Sequence, residues 1–278
     1  MKLVILIIYS LFTLSVAAAT SVTVKLPSIN SKDDFRHQYS QQLQKLILSS
    51  SGSDVKIEWV TFPNEQQHLS LLDNHAVDIF ASATDKKLEK RYHAIRYPIF
   101  KGLMGYRLIL VRKNDRDILA NVKDINDLKK FTVGQGSQWQ ETKIYSESGF
   151  VVNTSRHYNH LFEMLSKQRF DLFPRSVLEV WNEAKTFSNR NIVIEPHVAL
   201  HYPMSIFYFV RKDHDQLIQL LENGFKVAVD NGSFDALFEK HHTDLIKRAK
   251  LDKRTLIEIP NPFSAAISSQ ETPLYINL

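Results

Sequence analysis

Arg175 and Glu179 stand four residues apart in the run Asp171-Leu172-Phe173-Pro174-Arg175-Ser176-Val177-Leu178-Glu179. A guanidinium keeps its charge throughout the physiological range, and its planar fork matches carboxylate, sulfate or phosphate with paired hydrogen bonds. An Arg one helical turn from a Glu also makes an ordinary ion pair that shapes a helix start, with Pro174 as the starter. Both readings stand. Gly136-Ser137 offers a second anion site: it follows an apolar strand and opens a helix, where free amides attract negative charge and glycine admits close approach. A βα turn capped by Ser137 is the plainer alternative. Trp139, in the first turn of that helix, is placed to stack on a ligand or to pack into the core.

Acid–base chemistry has two candidates nearby, Glu179 and Glu183, neither in a recognisable catalytic pattern. Trp181 and Glu183 read instead as packing and surface positions. His241-His242 with Asp244 has the residue types of a metal site, but adjacent helical residues point to different sides. The sequence holds neither a Gly-x-Ser-x-Gly elbow nor a His-Glu-x-x-His pair, and it has no cysteine. Thiol catalysis and cysteine-bound zinc or iron–sulfur centres are thereby excluded. No cofactor and no metal is expected.

The elements that would position these residues alternate. Ser21–Ile29, Lys56–Phe62 and Val77–Ala81 read as strands, separated by helices over Asp33–Ser49 and Glu65–Asn74. After a strand at Tyr106–Arg112 the theme restarts. Strands are expected at Phe131–Gly134, Val151–Thr154, Phe170–Phe173 and Ile192–Glu195, with helices at Gln138–Glu147, Tyr158–Gln168 and Ser176–Lys185. Ser205–Arg211 closes the set, followed by helices at Leu217–Val229, Ser233–Glu239 and Leu245–Ala249. Such β-α-β order makes parallel sheets covered by helices, and open sheets of this kind bind ligands at the carboxyl ends of their strands.

The chain's 278 residues are 44% hydrophobic, enough for a sizeable core without disulfide staples. Only 8 are glycine, which speaks against a glycine-rich nucleotide cradle. The +5 net charge is spread along the chain, so no nucleic-acid partner is expected. Met1-Lys2, an apolar run from Leu3 to Val16 and Ala17-Ala18-Ala19 form a cleaved secretory signal peptide over residues 1–19. The apolar run is shorter than the roughly 20 residues a membrane span needs. The mature chain is therefore expected to be exported and soluble.

Val77 to Thr84, followed by Glu89-Lys90-Arg91 and Tyr97-Pro98, resembles the strand, Ser/Thr-rich turn and Thr-x-x-Arg segment of the periplasmic solute-binding proteins of the amino-acid-uptake type (family 3, type II periplasmic-binding fold). Asp127 to Ser137 is similar to the Asp-Leu…Val-Gly-x-x-Gly-Ser opening of that family's second lobe, and Phe162–Phe173 resembles its helix and strand ending in an Asp-containing turn. The resemblance spans nearly the whole mature chain. Lys101 to Arg107 and Phe173-Pro174-Arg175 mark a divergent branch.

The resemblance implies an α/β fold of two lobes with two mixed, mostly parallel sheets and two crossing hinge segments, near Arg112–Arg116 and His201–Pro203. Residues 20–111 and 204–255 would form lobe one, 112–203 lobe two, and 256–278 an extended tail on the surface. It also implies a ligand set. Arg91 would grip a carboxylate, unless it is a surface Arg in a charged helix start. Ser82 and Thr84 would offer hydroxyl and backbone groups, unless they only cap a turn. Gly136, Ser137 and Trp139 would line lobe two. The family's ammonium-binding acid would fall near Arg175 or Ser176, where this chain carries a cation, so Arg175 with Glu179 points to an anionic or amino-acid-like solute. The implied protein is a periplasmic monomer without catalysis, delivering that solute to an ABC-type membrane transporter permease. A stand-alone sensor for a membrane signalling receptor and a dehydratase-like enzyme are the alternatives.

Overall fold

Alternating apolar residues and amphipathic helices give the following order in a computed structural model that describes residues 21–28, 35–61, 68–267, 269–276 and 278. The chain runs β1 (Val22–Ser28), α1 (Phe35–Ser50), β2 (Val55–Thr61), α2 (His68–Asp73), β3 (Phe80–Ala83), α3 (Lys86–Arg91), β4 (Tyr92–Ile95) and β5 (Tyr106–Arg112). It continues α4 (Ile125–Leu128), β6 (Val133–Gly136), α5 (Gln140–Glu147), β7 (Val152–Ser155), α6 (Tyr158–Ser166), β8 (Phe173–Ser176), α7 (Val180–Thr186) and β9 (Ile192–His201). The last elements are β10 (Ile206–Arg211), α8 (Asp215–Asp230), α9 (Ser233–Ala249) and β11 (Thr255–Glu258). The expected signal peptide lies outside the described residues.

In the first unit β1 and β2 pair in parallel, and β10 runs antiparallel between β3 and β4. Asp78 joins the two parts: its N–H donates to the Lys25 carbonyl, and its carboxylate accepts the Lys25 N–H at 2.7 Å. α1 buries Tyr39, Leu43 and Ile47, spaced by four residues on one helical face. In the second unit β6 and β7 pair in parallel, a Val133–Leu172 bridge sets β6 beside β8, and the order continues β8, β5, β9, β11. β5 is covered on both faces. Leu108 and Leu110 join the cluster around Phe162 and Phe173, whereas Ile109 and Val111 join the one around Ile144, Tyr145 and Leu200. That is why β5 is almost wholly apolar.

Several boundaries differ from the sequence reading. β5 was expected in lobe one but pairs with β8 and β9, so the chain crosses at Leu103–Gly105 rather than near Arg112–Arg116. β8 begins where a strand was expected to end. Pro174 and Arg175 are strand residues facing Ile109 and Leu108, because antiparallel pairing with β5 outweighs proline's value as a helix starter. α9 is one helix through His241-His242, not two. The tail begins as β11, parallel to β9, since its Leu256-Ile257 finds a free strand edge.

The two units touch where segments cross side by side. The Tyr202 N–H donates to the Gly105 carbonyl at 3.3 Å, and the Ile259 N–H donates to the His201 carbonyl at 2.8 Å. The outgoing segment, the returning segment and the C-terminal segment thus lie in register at the hinge.

Candidate functional site

β6 and β8 end at the same edge of the second sheet, and β5, antiparallel to β8, begins there. Arg107 and Arg175 meet at this edge from opposite faces, since side chains alternate along a strand. Arg175 is 4% exposed. Its Nε donates to both carboxylate oxygens of Glu183 at 2.9 Å, and its Nη2 lies 2.7 Å from Glu183 and 3.0 Å from Glu179. The guanidinium sits in an aromatic box, 4.6 Å from the Trp139 ring, 5.2 Å from Phe173 and 5.8 Å from Tyr158. Burial opposes the charge, but the carboxylates of Glu179 and Glu183 hold its pKa well above the ordinary value. Tyr158 donates its hydroxyl to Glu183 at 2.6 Å, and burial together with the Glu183 charge raises the phenol's pKa.

Arg107 is wholly buried and donates to Glu141 at 2.7 Å, with Glu179 3.9 Å away. The Glu179 carboxylate therefore lies between two guanidiniums. The cluster holds two cations, Arg107 and Arg175, against three carboxylates, Glu141, Glu179 and Glu183. Its formal charge is negative.

Above this cluster α5 reaches the first unit. Gln140 donates its side-chain amide to the Thr84 carbonyl at 3.1 Å, while its neighbours Trp139 and Glu141 contact Arg175 and Arg107. Thr84, at the end of β3, is 3% exposed. Its N–H donates to the Ser205 carbonyl and its hydroxyl to Glu89, which in turn accepts from Arg96 at 2.9 Å.

The residues expected at the site fare unequally. Thr84, Trp139, Arg175 and Glu179 come together around α5. The Arg175–Glu179 pair forms, but across a strand-to-turn step, with Glu179 as the residue before α7 and not on a shared helix. Glu183, read as a surface position, is buried as the main partner of Arg175. Ser82 stays half-buried in β3 opposite Phe207. Arg91 faces away, in an exposed ion pair with Asp73 on α2.

Gly136-Ser137 does not stand directly at a helix start, contrary to the sequence reading. α5 begins only at Gln140, and the Ser137 N–H is taken by the Ser155 carbonyl at 2.9 Å. Gly136 serves another purpose: a Cβ there would stand 2.5 Å from the Trp139 ring, which folds back over it. Sequence reading missed Arg107, Gln140 and Glu141. Arg107 left a legible signal, since a charge at the second position of a strand that is then apolar on both faces up to its terminal Arg112 demands a buried partner.

Comparison with solved structures decides the architecture. No family model matches the sequence, and no curated protein matches it significantly. An ancestral arginine-binding protein bound to arginine superimposes with a TM-score of 0.56 at 18% identity, over 78% of this chain and 97% of that one. This chain has the two-lobed type II periplasmic-binding fold. A histidine kinase sensor domain similar to periplasmic binding proteins matches at 0.57 and 14% identity, over 80% of this chain and 95% of the other. The ancestral amino-acid-binding protein AncCDT-1, a precursor of cyclohexadienyl dehydratase, matches at 0.56 and 17%, over 78% and 94%. The Arg107–Arg175 cluster lies at the strand ends of the second sheet, and the Gln140–Thr84 contact joins the two units beside it. Among the described residues no helix is long and apolar enough to cross a membrane.

Proposed function

We propose that the protein is a periplasmic binding protein that closes two lobes on a small amino-acid-like solute and presents it to a membrane transporter. The observation that carries this reading is the cleft contact itself: Gln140 of one lobe holds Thr84 of the other, directly over a buried cluster of charges. Ligand binding would shift an open–closed equilibrium about the crossing segments, and the membrane partner would read the closed surface. The histidine kinase sensor domain among the matched structures supports a second destination, a signalling receptor in place of a permease. Binding without catalysis is the simplest use of this cleft, because its acids Glu179 and Glu183 are engaged by Arg175.

The charge of the cluster narrows the solute. Arg175 argued for an anion with its fork free, and Glu179 and Glu183 engage its Nε and Nη2. With three carboxylates against two guanidiniums, an ammonium group is the charge the cleft favours.

A thermal-shift panel of neutral, cationic and acidic amino acids and small dicarboxylates tests this with the mature chain. A ligand at 100 times its Kd stabilises by about 2.7 kcal/mol, a rise of several degrees. Neutral or cationic amino acids should raise Tm, and Gln140→Ala should shrink the rise. A response confined to dicarboxylates would overturn the ammonium reading, and silence across the panel would overturn the amino-acid-like solute.

A further inference from the structure

The segment after β11 touches both lobes. On the side of the second sheet, the Pro260 carbonyl accepts from Ser148 at 3.4 Å, and Lys143 of α5 stands 5.3 Å over the Phe263 ring. Asn261 donates to the carbonyl of Pro203 in the returning hinge segment. On the side of the first sheet, Arg96 donates to the Ala266 carbonyl and to Glu271, each at 2.6 Å. The Ile276 N–H donates to the Lys101 carbonyl at 2.9 Å. Tyr275 lies against Gly102, where a Cβ would stand 2.3 Å from its ring, and its hydroxyl meets that of Ser205.

These contacts continue into the cleft. Glu271, 2% exposed, holds Arg96; Arg96 holds Glu89; Glu89 accepts from the Thr84 hydroxyl; and the Thr84 carbonyl accepts from Gln140. An unbroken polar chain thus links the C-terminal segment to the contact between the lobes. Each link is charged or charge-assisted except the last, so the chain has one preferred geometry.

We infer that the C-terminal segment is a third hinge element whose seating on Arg96 and the meeting of the lobes at Gln140–Thr84 are a single coupled equilibrium. Seating Glu271 fixes Arg96 and Glu89, which holds Thr84 where Gln140 can reach it. Opening the lobes withdraws Gln140 and pulls the Phe263 end of the segment away from its Glu271 end. Coupling of this kind is reciprocal: a change at either end must be felt at the other. The inference concerns the hinge and needs no ligand, so it stands or falls apart from the solute.

The chain's lack of cysteine permits clean labelling of the full protein with nitroxides at Ser49→Cys on α1 and Ser146→Cys on α5. Electron–electron distance measurement should find a new, longer interlobe population in Glu271→Gln and none in Arg91→Gln, which breaks an ion pair outside the chain of contacts. The converse arm is hydrogen exchange at the Ile276 amide. Gln140→Ala removes a hydrogen bond to Thr84 and none to a described residue of the C-terminal segment, yet should speed that exchange by between about two- and tenfold, the effect of one lost hydrogen bond. Unchanged distances in a folded Glu271→Gln protein would overturn the inference. So would an Ile276 amide that exchanges at the parent rate in Gln140→Ala, and that arm decides alone if Glu271→Gln does not fold.

Discussion

Gly105 stands so close to Tyr202 that a Cβ on it would lie 2.2 Å from the Tyr202 carbonyl oxygen. The obstacle is backbone, and the Tyr202 N–H already donates to the Gly105 carbonyl, so the two crossing segments cannot part without losing that bond. Gly105→Ala should destabilise the protein by about 1–3 kcal/mol, as overpacking of a close contact does. Denaturant titration would register a lower midpoint with an unchanged slope, and an unchanged midpoint would show that the crossing yields freely.

The buried cluster should be far more sensitive to substitution than the exposed Arg91–Asp73 pair. Breaking a buried ion pair by removing one partner costs about 3–5 kcal/mol, so Arg175→Met should fall in that range. Arg91→Ala, losing its exposed ion pair with Asp73 and its contact over the Tyr92 ring, should stay within about 1 kcal/mol. In a double-mutant cycle, Arg175→Met with Glu183→Leu should cost less than the two changes added together, since neither charge is then left alone. Additive effects would mean that the pair in the structure is not energetically coupled.

His242 gives the fold an acid limit. The ring is 2% exposed, stacked on Phe238 and edge-on to Tyr39, and burial lowers its pKa to about 4 from an ordinary 6.5. Between those values the unfolded chain binds the proton and the folded one does not, so stability falls as pH drops from 6.5 toward 4. The loss from this group alone is of order 3 kcal/mol. His242→Leu should flatten that part of the stability–pH curve relative to the parent, measured by urea titration at each pH. Parallel curves would assign the acid sensitivity elsewhere.

Trp139 reports on the site optically. Its ring is parallel to Phe173 at 6.3 Å, lies 4.6 Å from the Arg175 guanidinium and rests on Gly136. Gly136→Ala should push the indole outward and red-shift its emission, read against a Trp139→Phe protein that retains only Trp59 and Trp181. An emission spectrum identical to the parent would mean that the ring yields without leaving Arg175.

Much of this arrangement could be read from the chain, and the parts that could not share a physical reason. An unbroken apolar run located β10, which is buried on both faces, and periodicity located α1, β2 and α8 because each turns a regular face inward. It misplaced the start of β8, because Phe173-Pro174-Arg175-Ser176 becomes strand only through its long-range partner β5. It divided α9 at His241-His242, since nothing local reveals that His242 packs inward. At the site, a short-range pairing of Arg175 with Glu179 was foreseen. The stronger partner Glu183, eight residues on, was not, because it reaches Arg175 only through the turn between β8 and α7. Arg91 and Arg96 are five residues apart in one charged stretch, and only packing tells which of them faces Thr84 and which faces solvent.

The hinge has one more property. Two straps joining two rigid plates resist separation but still allow one plate to twist against the other. With the C-terminal segment as a third hinge element, three straps lying side by side, at Gly105, His201–Tyr202 and Ile259, would behave as a flat spring: easy to bend about the line across them and stiff to torsion and shear. The relative motion of the two halves is then reduced to one angle. Any membrane protein that docks on both halves would read a single scalar quantity, with little orientational noise to average out.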